Sequence, residues 1–357
     1  MGVDLLSRVE RSCARGAWME SLRLAVLGDL GEAVGFDGHV WLLTDPTTAV
    51  GTSPLATLPG VPMPRLPDLI RARYLTTSTR WTSLRGHRVP ATSWSRAGHR
   101  ETAASYPWRD VLAEFGVCDV ATVVFVDRFG CWGWLDLWRF GVMPFPADDL
   151  DRMSQIAPPV TAALRSRQAG HFTEPVRPAD STGPAVVVLD EHLRLRGQTA
   201  GAGSRLFRLN PPDAGPDGRI PDVPAIPAAA YNVAAQLVAR ERGVDAASPR
   251  ARVFLEHYGW LTLEADRMSG ERPPTGRDIA VTIERSGFTD RLDLFARVTG
   301  LTSREREVLG RVCAGMDNRS IAAAVSVSEH TVHVHVKSTL RKAECGNRTN
   351  LIARIAG

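Results

Sequence analysis

Along residues 301–357 apolar side chains return every three or four positions in four short blocks, each with its own start and stop signals. That pattern predicts four helices. Thr302-Ser-Arg-Glu305 is a capping box for the first, where Val308, Leu309 and Val312 follow at helical spacing and Gly315 marks the end. Asp317 caps a second helix over residues 318–325, with Ile321, Ala322 and Val325 inward. Ser-Val-Ser makes a turn, and Ser328 caps a third helix over residues 329–343. Its buried stripe is Val332, Val336 and Leu340, which leaves His333, Val334, Lys337, Arg341 and Lys342 largely outward. A fourth helix over residues 348–356 brings Leu351, Ile352 and Ile355.

The pattern before residue 301 is mixed. Leu5, Leu6 and Val9, then Leu22, Leu24 and Val26, predict a helix or pair of helices, and Met153, Ile156, Val160 and Leu164 a last one. Between them residues 39–43, 121–126 and 131–138 read as strands, the last two around a turn at Asp127-Arg-Phe-Gly130. Residues 168–184, with three Pro and no period, read as a linker. Beyond it come two strands meeting at Asp190-Glu191, a helix over residues 228–242, a half-buried strand over 252–267 and another over 278–285. Residues 210–227 and 268–277 read as loops. A helix over residues 290–298 leads into the C-terminal helices and is the natural coupler.

These patterns predict a multidomain chain: two α+β domains, 1–168 and 185–290, a linker 169–184, a coupling helix 291–300 and an all-α four-helix domain 301–357. The α+β domains resemble GAF-like and PAS-like sensors in architecture only.

Charge sharpens the picture. Ten of the 43 Lys/Arg and five of the 39 Asp/Glu lie in residues 297–357, a net of +5, against −1 for the rest. A basic excess confined to one small helical domain suits a surface that displaces counterions from phosphate. Lysine is confined further: Lys337 and Lys342 are the only two. A phosphate-binding loop of the G-x-x-x-x-G-K-[ST] type needs a lysine, so that class is excluded, as are Schiff-base chemistry and phospho-receiver domains, which resemblance says use a lysine beside clustered Asp. Heavy Arg and Ala usage suggests a GC-rich bacterial genome.

A scaffold helix, a tight turn and a capped helix with a basic outer face is helix-turn-helix logic. The segment closely resembles the DNA-binding domain of LuxR-type regulators. The pattern is carried by Leu301, Thr302, Arg304, Glu305, Glu307, Val308, Leu309, Gly315, Asn318, Arg319, Ile321, Ala322, Val327, Ser328, Thr331, Val332, His335, Leu340 and Lys342. It departs at His333, where the family often has Lys, and at Asp317, often Ser. The resemblance implies base contacts from His333, Val334 and Lys337, phosphate contacts from Arg319, Ser328, Thr331 and Lys342, and dimerisation through the fourth helix. Arg341, on the outward face, joins the phosphate set.

Candidate chemistry elsewhere is sparser. Eight of nine Trp lie in the first 138 residues, and Trp132, Trp134 and Trp138 share a face if their strand is regular. They could wall a pocket for a small apolar or planar ligand, or simply be core. His39, His87, His99 and His171 show no metal-ligand spacing. Cys13, Cys118, Cys131, Cys313 and Cys345 are scattered, odd in number and without C-x-x-C, so free thiols in a reducing cytosol are expected. No apolar run is long enough to span a membrane. With no G-x-S-x-G or H-E-x-x-H, neither enzyme activity nor any cofactor or metal is expected. The expected protein is a cytoplasmic, dimeric, one-component bacterial transcription factor acting on double-stranded DNA, with an unknown small-molecule ligand and RNA polymerase as a candidate partner. The alternative is a regulator whose N-terminal domains dock a protein partner, with DNA contact secondary.

Overall fold

The structure, a computed structural model, describes residues 4–15, 18–85, 89–97, 107–174, 183–209, 228–256, 258–268 and 278–357. The loop expected at 210–227, residues 269–277 of the loop expected at 268–277, residues 175–182 of the expected linker, and His87 and His99 lie outside them.

The first unit is built on five antiparallel strands: β1 (Gly38–Thr44), β2 (Gly51–Thr57), β3 (Ala91–Ser93), β4 (Val117–Asp127) and β5 (Gly130–Phe140), in the spatial order β2-β1-β5-β4-β3. β4 and β5 are nearly all buried, as strands covered on both faces must be. One face packs on α1 (Leu5–Ala14), α2 (Met19–Ala33) and α7 (Ala147–Gly170) through Val9, Leu22, Val26, Met153, Ile156, Val160 and Leu164. The other carries α3 (Leu66–Leu75) and α6 (Pro107–Ala113). Two short helices, α4 (Trp81–Leu84) and α5 (Trp94–Ala97), flank β3. The expected linker begins later than its composition suggested, since α7 runs through Gln168 to Gly170.

The second unit has β6 (Ala185–Leu189), β7 (Leu195–Gln198), β8 (Arg250–Leu255), β9 (Gly259–Arg267) and β10 (Ile279–Arg285), with helices α8 (Ala200–Leu209) and α9 (Ala228–Glu241) between β7 and β8. The order β7-β6-β10-β9-β8 repeats the first sheet, counted within each unit. Residues 252–267 are a hairpin rather than the single strand expected: Tyr258 N–H donates to Leu255 O at 2.9 Å and Gly259 turns the chain at φ +83°.

α9 locks the two units together. Every residue from Ala228 to Ala239 is buried, so the helix has no solvent face. One side meets β9 and β10, the other α3 and β2. Around it Arg80 of the first unit bonds Asp245 Oδ2 at 2.9 Å and Gln236 Oε1 at 2.8 Å, both from the second.

Candidate nucleic-acid interface and ligand cavity

The last four helices are α11 (Ser303–Cys313), α12 (Asn318–Val325), α13 (Glu329–Lys342) and α14 (Arg348–Ala356). The capping box forms: Glu305 N–H donates to Thr302 Oγ1 at 3.3 Å and Thr302 N–H to Glu305 Oε2 at 2.7 Å. Asp317 Oδ1 accepts from Ser320 N–H at 2.8 Å, and Ser328 Oγ from Thr331 N–H at 3.1 Å. Between α12 and α13 the chain turns at Ser326, in the left-handed region at φ 55°. Val308, Val312, Ile321, Ala322, Val325, Val332 and Val336 close one small core.

That packing fixes what α13 presents. Val332, Val336 and Thr339 point inward, with Leu340 half-buried. His330, His333, Val334, Lys337 and Arg341 are exposed. Val334 is 49% exposed, an apolar side chain on an otherwise polar face. Its position suits contact with a thymine methyl, with Lys337 one turn on for base acceptors. Arg319, in the first turn of α12, and Ser328 are exposed, and Thr331 is half-buried beside its cap.

Lys342 is placed differently from the other phosphate candidates. Its Nζ lies 2.6 Å from Glu305 Oε2 and 3.2 Å from Gly300 O, so its charge is spent inside the domain. Glu305 also accepts from Ser338 Oγ at 2.7 Å. Burial alone would raise the Glu305 pKa, but Lys342, Thr302 and Ser338 outweigh it and hold it at about 2. A depressed folded-state pKa stabilises the fold above the unfolded value of 4.5, and that contribution is lost as pH falls toward about 2. Glu305→Gln should lower stability at pH 7 by about 2–3 kcal/mol. The gap from the parent in thermal unfolding should narrow as pH drops below 4; a constant gap would show that the charge is not its source.

α14 is turned toward the rest of the chain. Leu351 and Ile355 are buried in the cluster that holds Leu294 and Phe295 of α10 (Phe288–Val298). The outward residues of α14 are Thr349, Asn350 and Ala353.

α10 sits at the meeting point of all three units. Arg252 of β8 donates from Nε to Asp45 Oδ2 at 2.7 Å and from Nη2 to Asp45 Oδ1 at 2.9 Å. Its Nη1 reaches Asp293 Oδ2 of α10 at 3.0 Å. Asp293 also accepts from Thr47 Oγ1 at 3.0 Å and from Arg297 Nε at 3.0 Å, and Arg306 of α11 lies 3.5 Å away. Burial opposes the charge on Asp45, but Arg252 outweighs it and holds the carboxyl below its ordinary range. An aromatic cluster backs these charges: Phe172 at the end of α7 lies 5.1 Å edge-on from Phe295 and 5.4 Å from Trp260.

A cavity of about 680 Å³ lies under the face of the first sheet that carries Val40, Leu42, Trp134 and Trp138, with Tyr74 and Trp108 on the opposing wall. Leu209, Ala228 and Asn232 of the second unit also line it. The volume is that of an ordinary small-molecule site. The structure brings Trp134 and Trp138 together here but not Trp132. The register between β4 and β5 shifts after Phe125↔Gly133, where Val126 pairs with Cys131, so Trp132 is the extra residue of a bulge. Its ring joins Trp41, Leu135 and Leu137 on the helix-covered face, and its Nε1 donates to Asp127 Oδ1 at 3.0 Å. Gly133, beside the bulge, allows the close approach of β1, since a Cβ there would sit 2.7 Å from Leu42 O. Arg73 on α3, buried beside Trp134, went unnoticed in the sequence. It donates to Asp136 Oδ2 at 2.8 Å and to Asp136 Oδ1 at 3.0 Å.

Among the described residues no group of three or more His, Cys, Asp or Glu could hold a metal ion, and no helix is long and apolar enough to cross a membrane.

Comparison with known proteins fits the C-terminal geometry. Residues 299–355 match the family model "Bacterial regulatory proteins, luxR family". The chain is 28% identical over 118 residues to the tetrathionate response regulatory protein TtrR of Salmonella typhimurium, covering 30% of this chain and 57% of that one. It is 47% identical over 49 residues to the transcriptional regulatory protein YhcZ of Bacillus subtilis, covering 14% of this chain and 23% of that protein. With the transcriptional regulatory protein FixJ of Rhizobium meliloti it shares 38% over 63 residues, 18% of this chain and 31% of FixJ. The chain thus spans between about a quarter and a little over half of these relatives. A crystal structure of Escherichia coli SdiA aligns over 97% of this chain and 93% of its own at 12% identity, with a TM-score of 0.34. That score is too low to carry an argument about the N-terminal units. Capped helices, left-handed turn and family match together identify residues 299–355 as a LuxR-family helix-turn-helix domain.

Proposed function

We propose that the chain is a one-component transcriptional regulator. α13 enters the major groove of double-stranded DNA, and the two N-terminal units, read as GAF-like and PAS-like sensor domains, answer to a small molecule. The observation that carries this reading is the exposed face of α13, with His333, Val334 and Lys337 outward on a helix held by three capped neighbours inside a segment that matches a family of regulatory proteins. Arg319, Ser328, Thr331 and Arg341 flank that face as phosphate contacts; Lys342 acts instead by bracing Glu305. The protein acts as a homodimer on a two-fold site, in the cytoplasm. α14 contributes its outward residues to the dimer once α10 lets it move, because Leu351 and Ile355 are occupied within the chain. The junction of Arg252, Asp45 and Asp293 carries the sensor state to the DNA-binding domain.

Base and phosphate contacts are separable. Lys337→Ala and His333→Ala should each reduce discrimination between the preferred site and a mutated one by about 1–3 kcal/mol. Arg319→Ala should weaken binding to all sequences alike and lower the salt slope by about one. Binding isotherms on matched and mismatched duplexes at several salt concentrations check both. The orientation of α13 proposed here is wrong if Arg319 changes sequence preference and Lys337 does not.

A further inference from the structure

The outward face of α13 carries one residue more than the sequence pattern singled out. At about 100° per residue, His330, His333, Val334, Lys337 and Arg341 fall within one arc of about 100° along the helix. All five are exposed, while Val332, Val336 and Thr339 hold the other side in the core. His330 sits near the middle of that arc and in the first turn, where Ser328 Oγ accepts from Thr331 N–H at 3.1 Å and fixes how the helix begins. The N-terminal half of a recognition helix is the part that meets base edges. His330 is therefore placed to meet a base, and it neighbours His333, three residues on, along the same strip.

Two imidazoles on this strip change its charge. Without them its cations are Lys337 and Arg341; with both protonated the number doubles. On α13 itself Glu329 precedes His333 by four residues and Lys337 follows it by four, neighbours of opposite sign. The carboxylates of the two helices packed on α13 are engaged elsewhere. On α11, Glu305 is held by Lys342 and Glu307 by Arg304 and Arg311, while Arg306 reaches toward Asp293 and Cys313 lies against the cluster of Leu294, Leu351 and Ile355. At the start of α12, Asp317 accepts from Ser320 N–H and Arg319 is exposed. Among the described residues, no Asp or Glu lies within ion-pair distance of His330 or His333, so none stands in for a DNA phosphate at either ring.

Histidine as a class changes charge at about pH 6.5, close to neutrality. A phosphate beside an imidazole favours the imidazolium, so the bound state takes up protons, and lower pH then favours binding. The start of α13 opposes this at His330, because the positive end of a helix disfavours a cation in its first turn. His333, further along, lies beyond that turn and carries the larger share. Protonation also changes what the ring can read. A neutral imidazole offers one donor and one acceptor; the cation offers two donors, which suits the N7 and O6 acceptors of guanine. Resting on the DNA-binding role proposed above, we propose that His330 and His333 form a proton-responsive part of the reading face: duplex DNA is bound more tightly, with a stronger preference for guanine, as pH falls through the histidine range.

The test uses the full chain and the duplex that it selects from a randomised library, titrated by fluorescence anisotropy on both sides of the histidine range. From about pH 8 to about pH 5.5 the Kd should tighten at least about ten-fold, and the salt slope should steepen from about −5 toward about −9, since two subunits gain up to four cations. The double variant His330→Asn with His333→Asn does not titrate on this face, so its pH ratio should fall below about two-fold whatever its absolute affinity. His335→Asn, off the strip and half-buried, should keep the parent ratio. Circular dichroism at both pH values establishes that each chain is folded. A parent affinity that does not change with pH overturns the inference and leaves the DNA-binding role standing. Binding to no duplex at either pH removes both. A pH ratio that survives the double substitution also overturns the inference, because the protons are then taken up elsewhere. So does a His330→Asn chain that changes neither the selected sequence nor the pH ratio, since His330 is then no DNA contact.

Discussion

Arg252→Ala should cost about 3–5 kcal/mol and lower the melting midpoint of the N-terminal units by about 6–15 °C. The guanidinium is 94% buried and holds both oxygens of Asp45, which is itself almost fully buried. Removing it leaves that carboxylate in the interior with only backbone donors, such as Thr47 N–H at 2.8 Å and Arg252 N–H at 2.9 Å. Losing one partner of a buried pair is far more damaging than losing both. Asp293→Asn is the informative contrast. Asp293 is 31% exposed, so its loss should cost about 1 kcal/mol or less. It is nonetheless the residue through which Arg252 reaches Arg297 and Arg306, beside the direct bond of Arg252 Nη1 to Asp290 O of α10 at 2.9 Å. Asp293→Asn should therefore keep the fold while loosening the α10 junction, seen as faster hydrogen exchange in α10 and α14. Equal melting losses for the two variants would contradict the assignment of strength to the Asp45 arm.

A second large effect is expected at Arg73. Arg73→Met should destabilise the first unit by about 3–5 kcal/mol, because Asp136 is wholly buried and loses both of its guanidinium contacts. Thr122 Oγ1, which donates to Asp136 Oδ1 at 2.6 Å, cannot neutralise the charge. The double substitution Arg73→Met with Asp136→Leu should recover much of the loss, since an apolar pair of similar volume replaces an ion pair at little cost. Chemical denaturation of the parent, the two single variants and the double variant closes the cycle. Additive losses would mean that the pair is not coupled and that the damage comes from lost packing alone.

What the sequence disclosed follows from the range of the interactions. Three of the four C-terminal helices were legible from caps that act over three residues: Thr302 with Glu305, Asp317 with Ser320, Ser328 with Thr331. The exposure of His333, Val334 and Lys337 followed from helical period alone. The tie of Lys342 to Glu305 was not legible because the two lie 37 residues apart, and helical period says nothing about a neighbouring helix. Trp132 was grouped with Trp134 by strict alternation, which a one-residue bulge reverses. The hairpin within residues 252–267 was read through because both strands alternate in phase across the turn; Gly259 was the available signal. β2 and β3 carry no clear period; α8 does, with Ala202 and Leu206 buried four apart, but none of the three was anticipated. The burial of α9 had a visible mark, the absence of any charged residue from Ala228 to Ala239, although the helix itself was the only feature drawn from it. The Asp45–Arg252 and Arg73–Asp136 pairs span 207 and 63 residues, beyond the reach of any local pattern.

Sequence-selective, salt-dependent binding of the full chain to duplex DNA tests the central claim most directly. Selection from a randomised duplex library should enrich one two-fold-related motif. With exposed Arg319, Lys337 and Arg341 on each of two subunits, the affinity for that motif should fall with salt at a log–log slope of about −5. Lys337→Ala should weaken the enrichment, losing sequence preference at the base that Lys337 contacts. An unenriched library, together with affinity that does not change between low and moderate salt, would contradict the account and leave the chain without a DNA-binding role.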